Sequence, residues 1–186
     1  MNITLSKTLV LPEWILKETQ YQTIKKTDSE KTDFVLDLVV KNVEHGTGGP
    51  FAAVIFNKET HELISVGVNV VVEQNCSPAH AEVVAIIMAQ EKLKRFRLDD
   101  DNYVLVSSAQ PCAMCTGAIV WSGVKTLIYC ATKDDVEGIV GFDEGPLHPN
   151  WIEEYNKRGI NVIGKVNLKK SREVLELYKN KKGIIY

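Results

Sequence analysis

Apolar and polar residues alternate along this chain in two rhythms. The segment EKTDFVLDLVVKNVEH (30–45) places Phe34, Leu38, Val39 and Val43 near one face at helical spacing, with Asp28 or Ser29 able to cap it. The glycines and Pro50 of HGTGGP then break the helix. FAAVIFN and ELISVGVN are short, β-branched and aromatic runs separated by KETH, which predicts a hairpin. HAEVVAIIMAQEKLKRF (80–96) returns to helical length, with a stripe at Val83, Ile86, Ile87 and Leu93. NYVLVSS predicts a strand, PCAMCTGAIVW a helix with Pro111 in its first turn, and VKTLIYCA another strand. A short helix near DDVEGIV, the turn-rich GFDEGPLHPN, a helix near 151–158, the strand INVIGKV and an amphipathic helix KSREVLELYKNKK complete the chain. This alternation predicts an α/β fold: a three-layer α-β-α arrangement around a central mixed sheet of five strands.

Residues 1–28 are polar and weakly patterned and read as a peripheral arm, leaving 29–186 as a single domain. The 186 residues are 45% hydrophobic and 25% charged, which fits a globular protein with a sizeable core. A net charge of −2 lowers the expectation of a nucleic-acid partner, and KLKRFR and NKKG read as solvated faces. The N-terminal apolar run is interrupted by Pro12 and has no signal-peptide core, and no apolar run reaches membrane-spanning length. A cytoplasmic location is therefore expected. Four cysteines are too few for a disulfide scaffold, which turns attention to metal or catalytic roles.

Two segments carry chemistry together: PAHAEVVAI, with His80 and Glu82, and QPCAMC, with Cys112 and Cys115. Alone, a histidine at a helix start reads as a cap or surface residue, and a C-x-x-C pair allows redox, metal and packed-thiol readings. In order, H-x-E and P-C-x-x-C form the signature of zinc deaminases. Cys112 and Cys115, three apart, share one helix face near its positive end, which favours thiolates. One imidazole and two thiolates balance the charge of Zn²⁺ and leave its fourth position for water. Glu82 stands beside the metal as a proton carrier between that water and a ring nitrogen of the substrate, which makes the reaction hydrolytic deamination. A structural zinc site would need a fourth ligand, yet Cys76 and Cys130 occur singly outside any paired motif; a redox pair would need neither His80 nor Glu82.

These motifs resemble the cytidine-deaminase-like superfamily of zinc nucleobase deaminases. From about Phe34 onward the chain is similar to the bacterial guanine deaminases within it, through GGPFAAVIF, VGVN, CSPAHAEVVAI, PCAMCTGAIVWSG, DDVEGIVGFDEGP and YKNKKGIIY. The resemblance implies a cytidine-deaminase-like fold and one zinc ion per subunit, held by His80, Cys112 and Cys115. It implies that Asn69 reads the purine edge, that Phe51 and Trp121 wall the base pocket, and that Ala81 offers a backbone contact. It further implies that Glu144 joins Glu82 in proton transfer, and that the C-terminal segment crosses to the partner of a homodimer, where Tyr186 acts as a lid. On the residues alone, Phe51 and Trp121 also read as core, Asn69 as a strand end and Glu144 as a solvated loop acid. His45, His61 and His148 read as surface residues. Gln110 stands where relatives often carry Glu, a position not expected to ligate zinc.

The implied reaction is zinc-dependent conversion of guanine to xanthine and ammonia. Alternatives on the same machinery are guanosine, ammeline or cytosine deamination and tRNA adenosine editing. A further alternative is a binding module with inactive chemistry, against which the intact His80, Glu82, Cys112 and Cys115 argue.

Overall fold

The computed structural model describes residues 6–20, 24–100 and 102–186. Its elements are α1 (Trp14–Thr19), α2 (Asp28–Glu44), β1 (Ala52–Asn57), β2 (Leu63–Val68), α3 (Ala81–Leu93), β3 (Tyr103–Ala109), α4 (Ala113–Ser122), β4 (Thr126–Ala131), α5 (Lys133–Ile139), α6 (Trp151–Lys157), β5 (Asn161–Ile163) and α7 (Leu168–Asn180). The five strands form one sheet in the order β2-β1-β3-β4-β5. The hairpin and the β1–β3 pair are antiparallel, while β3, β4 and β5 run parallel, so the sheet is mixed as expected.

Strand residues alternate between two cores, as a period of two requires. Val54 and Phe56 of β1, Val104 and Val106 of β3 and Ile128 of β4 face one layer, with Phe34, Leu38 and Val39 of α2 and Val174 and Tyr178 of α7. Ile55, Leu105 and Leu127 face the other, with Ala85 and Ala89 of α3, Ile119 of α4 and Tyr155 of α6. Each large side chain fully buried this way contributes about 1.5–3 kcal/mol.

Local chemistry sets the helix ends. Thr27, one residue before the expected caps, closes a capping box with Glu30 at the start of α2. The buried face of α3 consists of Ala81, Glu82, Val84, Ala85, Ile86 and Ala89, which shares only Ile86 with the expected stripe: Val83 and Leu93 are half-buried and Ile87 is 42% exposed. Small residues win there because the helix lies tight on β2, where a Cβ on Gly67 would come within 2.1 Å of the Ala81 carbonyl. Pro111 precedes α4 instead of occupying its first turn, because Cys112 is itself the N-cap. The last strand stops at Ile163, since Gly164 lies against the Tyr129 ring and Lys165 adopts a left-handed φ of 64°.

The N-terminal arm carries a helix that its pattern does not signal. Ile15 of α1 is buried, Ile24 bridges to Glu62, and Trp14 stacks on His45 at 5.6 Å. Among the described residues no helix is long and apolar enough to cross a membrane.

Candidate active site

Two helix N-termini meet beside the end of the central strand β3. His80 is the N-cap residue of α3 and Cys112 that of α4, so two distant motifs arrive at one point. One ligand atom each from His80, Cys112 and Cys115 lies within 4.8 Å of the others, and His80 Nδ1 is 3.6 Å from Cys112 Sγ. Hydrogen bonding with the Cys115 side chain, and then with His80 and the Cys115 backbone N–H, holds the Cys112 thiol down at about 4. The same side-chain hydrogen bond, together with burial, pushes Cys115 up. Two thiols this close, with opposite shifts, are poised for a cation that takes both as thiolates. One nitrogen and two sulfurs, buried and convergent, fit a zinc ion that keeps one position open.

Glu82, in the first turn of α3, is 7% exposed. Ser107 Oγ donates to its Oε1 at 3.1 Å and Cys115 Sγ to its Oε2 at 3.3 Å. Burial, reinforced by the Cys112 charge, raises its carboxyl above the usual range. Glu144 is equally buried, and its carbonyl accepts the N–H of Ala113 at 3.0 Å, which ties its loop to α4. Burial first, then the charges of Cys112 and Glu82, push the Glu144 carboxyl up to about 8. Neighbouring Asp143 is exposed and its carboxylate accepts the Gly145 N–H at 2.8 Å, so the two acids are separated by their surroundings.

The opposite wall is aromatic and amide. Phe142 packs edge-on against Phe51 at 5.2 Å and Tyr186 at 5.1 Å, and stacks on Tyr178 at 6.1 Å. Asn69 is 1% exposed; its Oδ1 accepts from Gly49 and Val71, while its Nδ2 is buried without a hydrogen-bond partner among the described residues. A buried amide donor left unpaired costs about 1–3 kcal/mol, a cost that a ligand acceptor would remove.

The structure thus brings Phe51, Asn69, His80, Glu82, Cys112, Glu144 and Tyr186 to the lining of one cavity, with Cys115 directly behind them. Two expected residues stand apart. Ala81 is fully buried against β2 and does not line the cavity. Trp121 is 81% exposed, because its position on α4 points it away from the sheet, so it does not wall the cavity of its own chain. Phe142 takes that place; it lies inside the quoted GFDEGP motif, where an aromatic between turn residues was the available signal. Ser107, the partner of Glu82, carries no sequence signal beyond its place at a strand end. Gln110 lines the cavity and its Oε1 accepts the Lys133 N–H. His45 and His148 are exposed, His61 is half-buried, and none of the three lines the cavity.

A three-layer fold with this donor set at paired helix N-termini defines a zinc-dependent deaminase. Residues 26–131 match the cytidine and deoxycytidylate deaminase zinc-binding region, and the chain belongs to that family. A guanine deaminase of Bacillus subtilis is 41% identical over 123 residues, covering 66% of this chain and 76% of that one. The structure of a guanine deaminase from Nitrosomonas europaea superposes with a TM-score of 0.89 at 37% identity, over 97% of this chain and 100% of that one. A structure of NE0047 in complex with 2,6-diaminopurine gives a TM-score of 0.89 at 39% identity, over 96% and 95%. The chain is therefore a homologue of guanine deaminases along nearly its whole length, well beyond the 26–131 region of the family match.

Proposed function

We propose that this protein hydrolyses guanine to xanthine and ammonia. The observation that carries the reading is one cavity in which a His-Cys-Cys donor set and two buried carboxylates face an aromatic wall and an unpaired amide donor. When bound by His80, Cys112 and Cys115, zinc supplies an acidified water and a Lewis acid. Phe51 and Phe142 hold the flat ring, and Asn69 Nδ2 donates to an acceptor on its edge. Glu82 takes a proton from the attacking water and delivers it to the ring nitrogen beside the amidine carbon. A C–O bond forms there, Glu144 protonates the exocyclic amine, and the C–N bond breaks to release ammonia; the new hydroxyl becomes the carbonyl by giving its proton back to the carboxylates, which restores Glu144. Two carboxylates suit two proton deliveries on different sides of one carbon.

The same reading extends to assembly and location. The protein works as a homodimer in the cytoplasm, with residues 29–186 as one catalytic domain. Val83 and Ile87 on α3 and Met114, Ala118 and Trp121 on neighbouring α4 recur at i, i+4 and i+7 on partly or largely exposed faces, which supports an apolar interface between copies. The final residues lie on their own chain's cavity; in the dimer they exchange with those of the partner. Mixing inactive Glu82→Ala and Tyr186→Ala proteins tests the exchange: restored activity supports it, and none overturns it.

Ammonia release from zinc-loaded protein decides the substrate. The panel is guanine, guanosine, adenine, cytosine, cytidine, ammeline and a tRNA anticodon stem-loop. Turnover of guanine above the others is expected, and its absence overturns the reading.

A further inference from the structure

We infer that Asn42, together with Thr47 and Trp14 of the N-terminal arm, forms a hydrogen-bonded strut that positions Asn69, so that the arm sets how tightly the base is read. The strut rests on the reading of Asn69 as the base-facing amide. Asn42 lies on α2 and is wholly buried. Its Nδ2 uses both protons, one on the Gly49 carbonyl at 2.9 Å and one on the Asn69 carbonyl at 3.0 Å. Its Oδ1 accepts from Thr47 Oγ1 at 2.6 Å, and Thr47 Oγ1 in turn accepts from Trp14 Nε1 at 3.2 Å. One side chain thus holds the two backbone segments that meet at Asn69, and its own amide orientation is set by Thr47, whose hydroxyl the arm holds through Trp14.

The geometry leaves little slack. A Cβ on Gly48 would sit 1.7 Å from the Asn69 carbonyl oxygen, and one on Gly49 would sit 2.9 Å from the Tyr186 hydroxyl and 3.2 Å from Asn69 Oδ1. The 46–51 loop is therefore pressed against Asn69, Tyr186 and Asn42 at once, and it ends at Phe51 on the cavity wall. Asn69 N also donates to the Phe51 carbonyl at 2.9 Å, so a shift of the loop moves the amide and the aromatic wall together. Without Thr47 as donor, the Asn42 amide has no fixed partner for its oxygen and its two donors are no longer held on the loop. Asn42, Thr47 and Trp14 touch no substrate in this scheme; they are positioning residues.

The test uses the full chain and conservative variants. Thr47→Val removes the hydroxyl at nearly constant shape, Thr47→Ser restores it, and Trp14→Phe keeps the ring on His45 but loses the Nε1 donor. In the ligand-free protein, the ¹H–¹⁵N side-chain amide signals of Asn69, assigned by their loss in Asn69→Ala, should move in Thr47→Val and Trp14→Phe and return in Thr47→Ser. Unmoved signals overturn the strut whatever the substrate proves to be. With guanine, Thr47→Val should raise KM about five-fold with kcat held within about two-fold, the size of one hydrogen bond lost from ground-state binding. In an Asn69→Ala background the same change should add nothing to the affinity for 8-azaguanine measured by calorimetry, whereas additive losses assign the residues to general stability and overturn the inference. A wild type inactive on guanine with moving Asn69 signals would refute the substrate reading and leave the strut standing.

Discussion

The two sides of the active-site cavity are built in opposite ways. The metal side comes from two compact motifs, 80–82 and 112–115, each anchored at the first turn of a helix that is packed on the sheet. The base side draws on four separate segments: Phe51, Asn69, the 142–144 loop and the C-terminal Tyr186. On the metal side the geometry within each motif follows from spacing in one helical turn, so the fold has only to bring two helix starts together. On the base side the residues are held largely by contacts between distant segments, Phe142 against Phe51 and Tyr186 and Gly49 against Asn69. The chemistry is thus assembled from local order and the specificity from tertiary packing.

The largest expected effect tests the metal side. Glu82→Gln should lower kcat by about 10³-fold, with zinc content by atomic absorption unchanged; full activity in that variant would remove Glu82 from proton transfer. Cys115→Ser should instead lose the metal, and chelation of the wild type should abolish activity that added zinc restores. On the base side, Phe142→Ala removes a ring that is 4% exposed and touches Phe51, Tyr178 and Tyr186. A loss of about 3 kcal/mol in denaturant unfolding is expected, together with a raised KM; unchanged stability would mean that the wall is not packed as described. Glu144→Gln should lower kcat by roughly 10²-fold with a smaller change in KM, and an unchanged kcat would leave Glu82 as sole proton carrier.

The smallest effect lies outside the cavity. Burial would raise the Asp135 carboxyl, but hydrogen bonds from Thr132 and Arg172 outweigh it and hold it below its ordinary value of 3.8. Its contribution is therefore complete above the unfolded value and disappears as pH falls through the lower folded one. Asp135→Asn, which weakens the α5 capping box, should cost about 1 kcal/mol at pH 7. The gap to wild type should narrow below about pH 4. A gap constant down to pH 2 would show that the charge contributes nothing.

The fold was readable where periodicity is strong. The hairpin, the two motif-bearing helices and strands β1, β3 and β4 all appear in the pattern of apolar residues, because a sheet covered on both faces buries nearly every strand side chain and leaves short continuous apolar runs. Helix α1 escaped because only one of its residues, Ile15, is buried and Leu16 beside it is 73% exposed, so no apolar stripe marks it. The stripe on α3 was misplaced because alanines, not large residues, make the close contact with β2. In the site, His80, Glu82, Cys112 and Cys115 stood out because their spacing has a coordination meaning. Phe142, Ser107 and Asn42 did not, since an ordinary phenylalanine, serine or asparagine acquires a role only from what it touches.

The chain order alone therefore settles the reaction type: an imidazole and two thiolates three apart at helix starts, with a carboxylate alongside, can be read without coordinates because helical geometry converts spacing into proximity. Folding alone settles which wall the base meets. It turns Trp121 outward and Phe142 inward, leaves Asn69 with an unpaired donor, buries Glu144 but not Asp143, and brings the arm at Trp14 to within one hydrogen-bonded chain of Asn69. Those outcomes depend on desolvation and on contacts between residues far apart in sequence, and no local pattern encodes either.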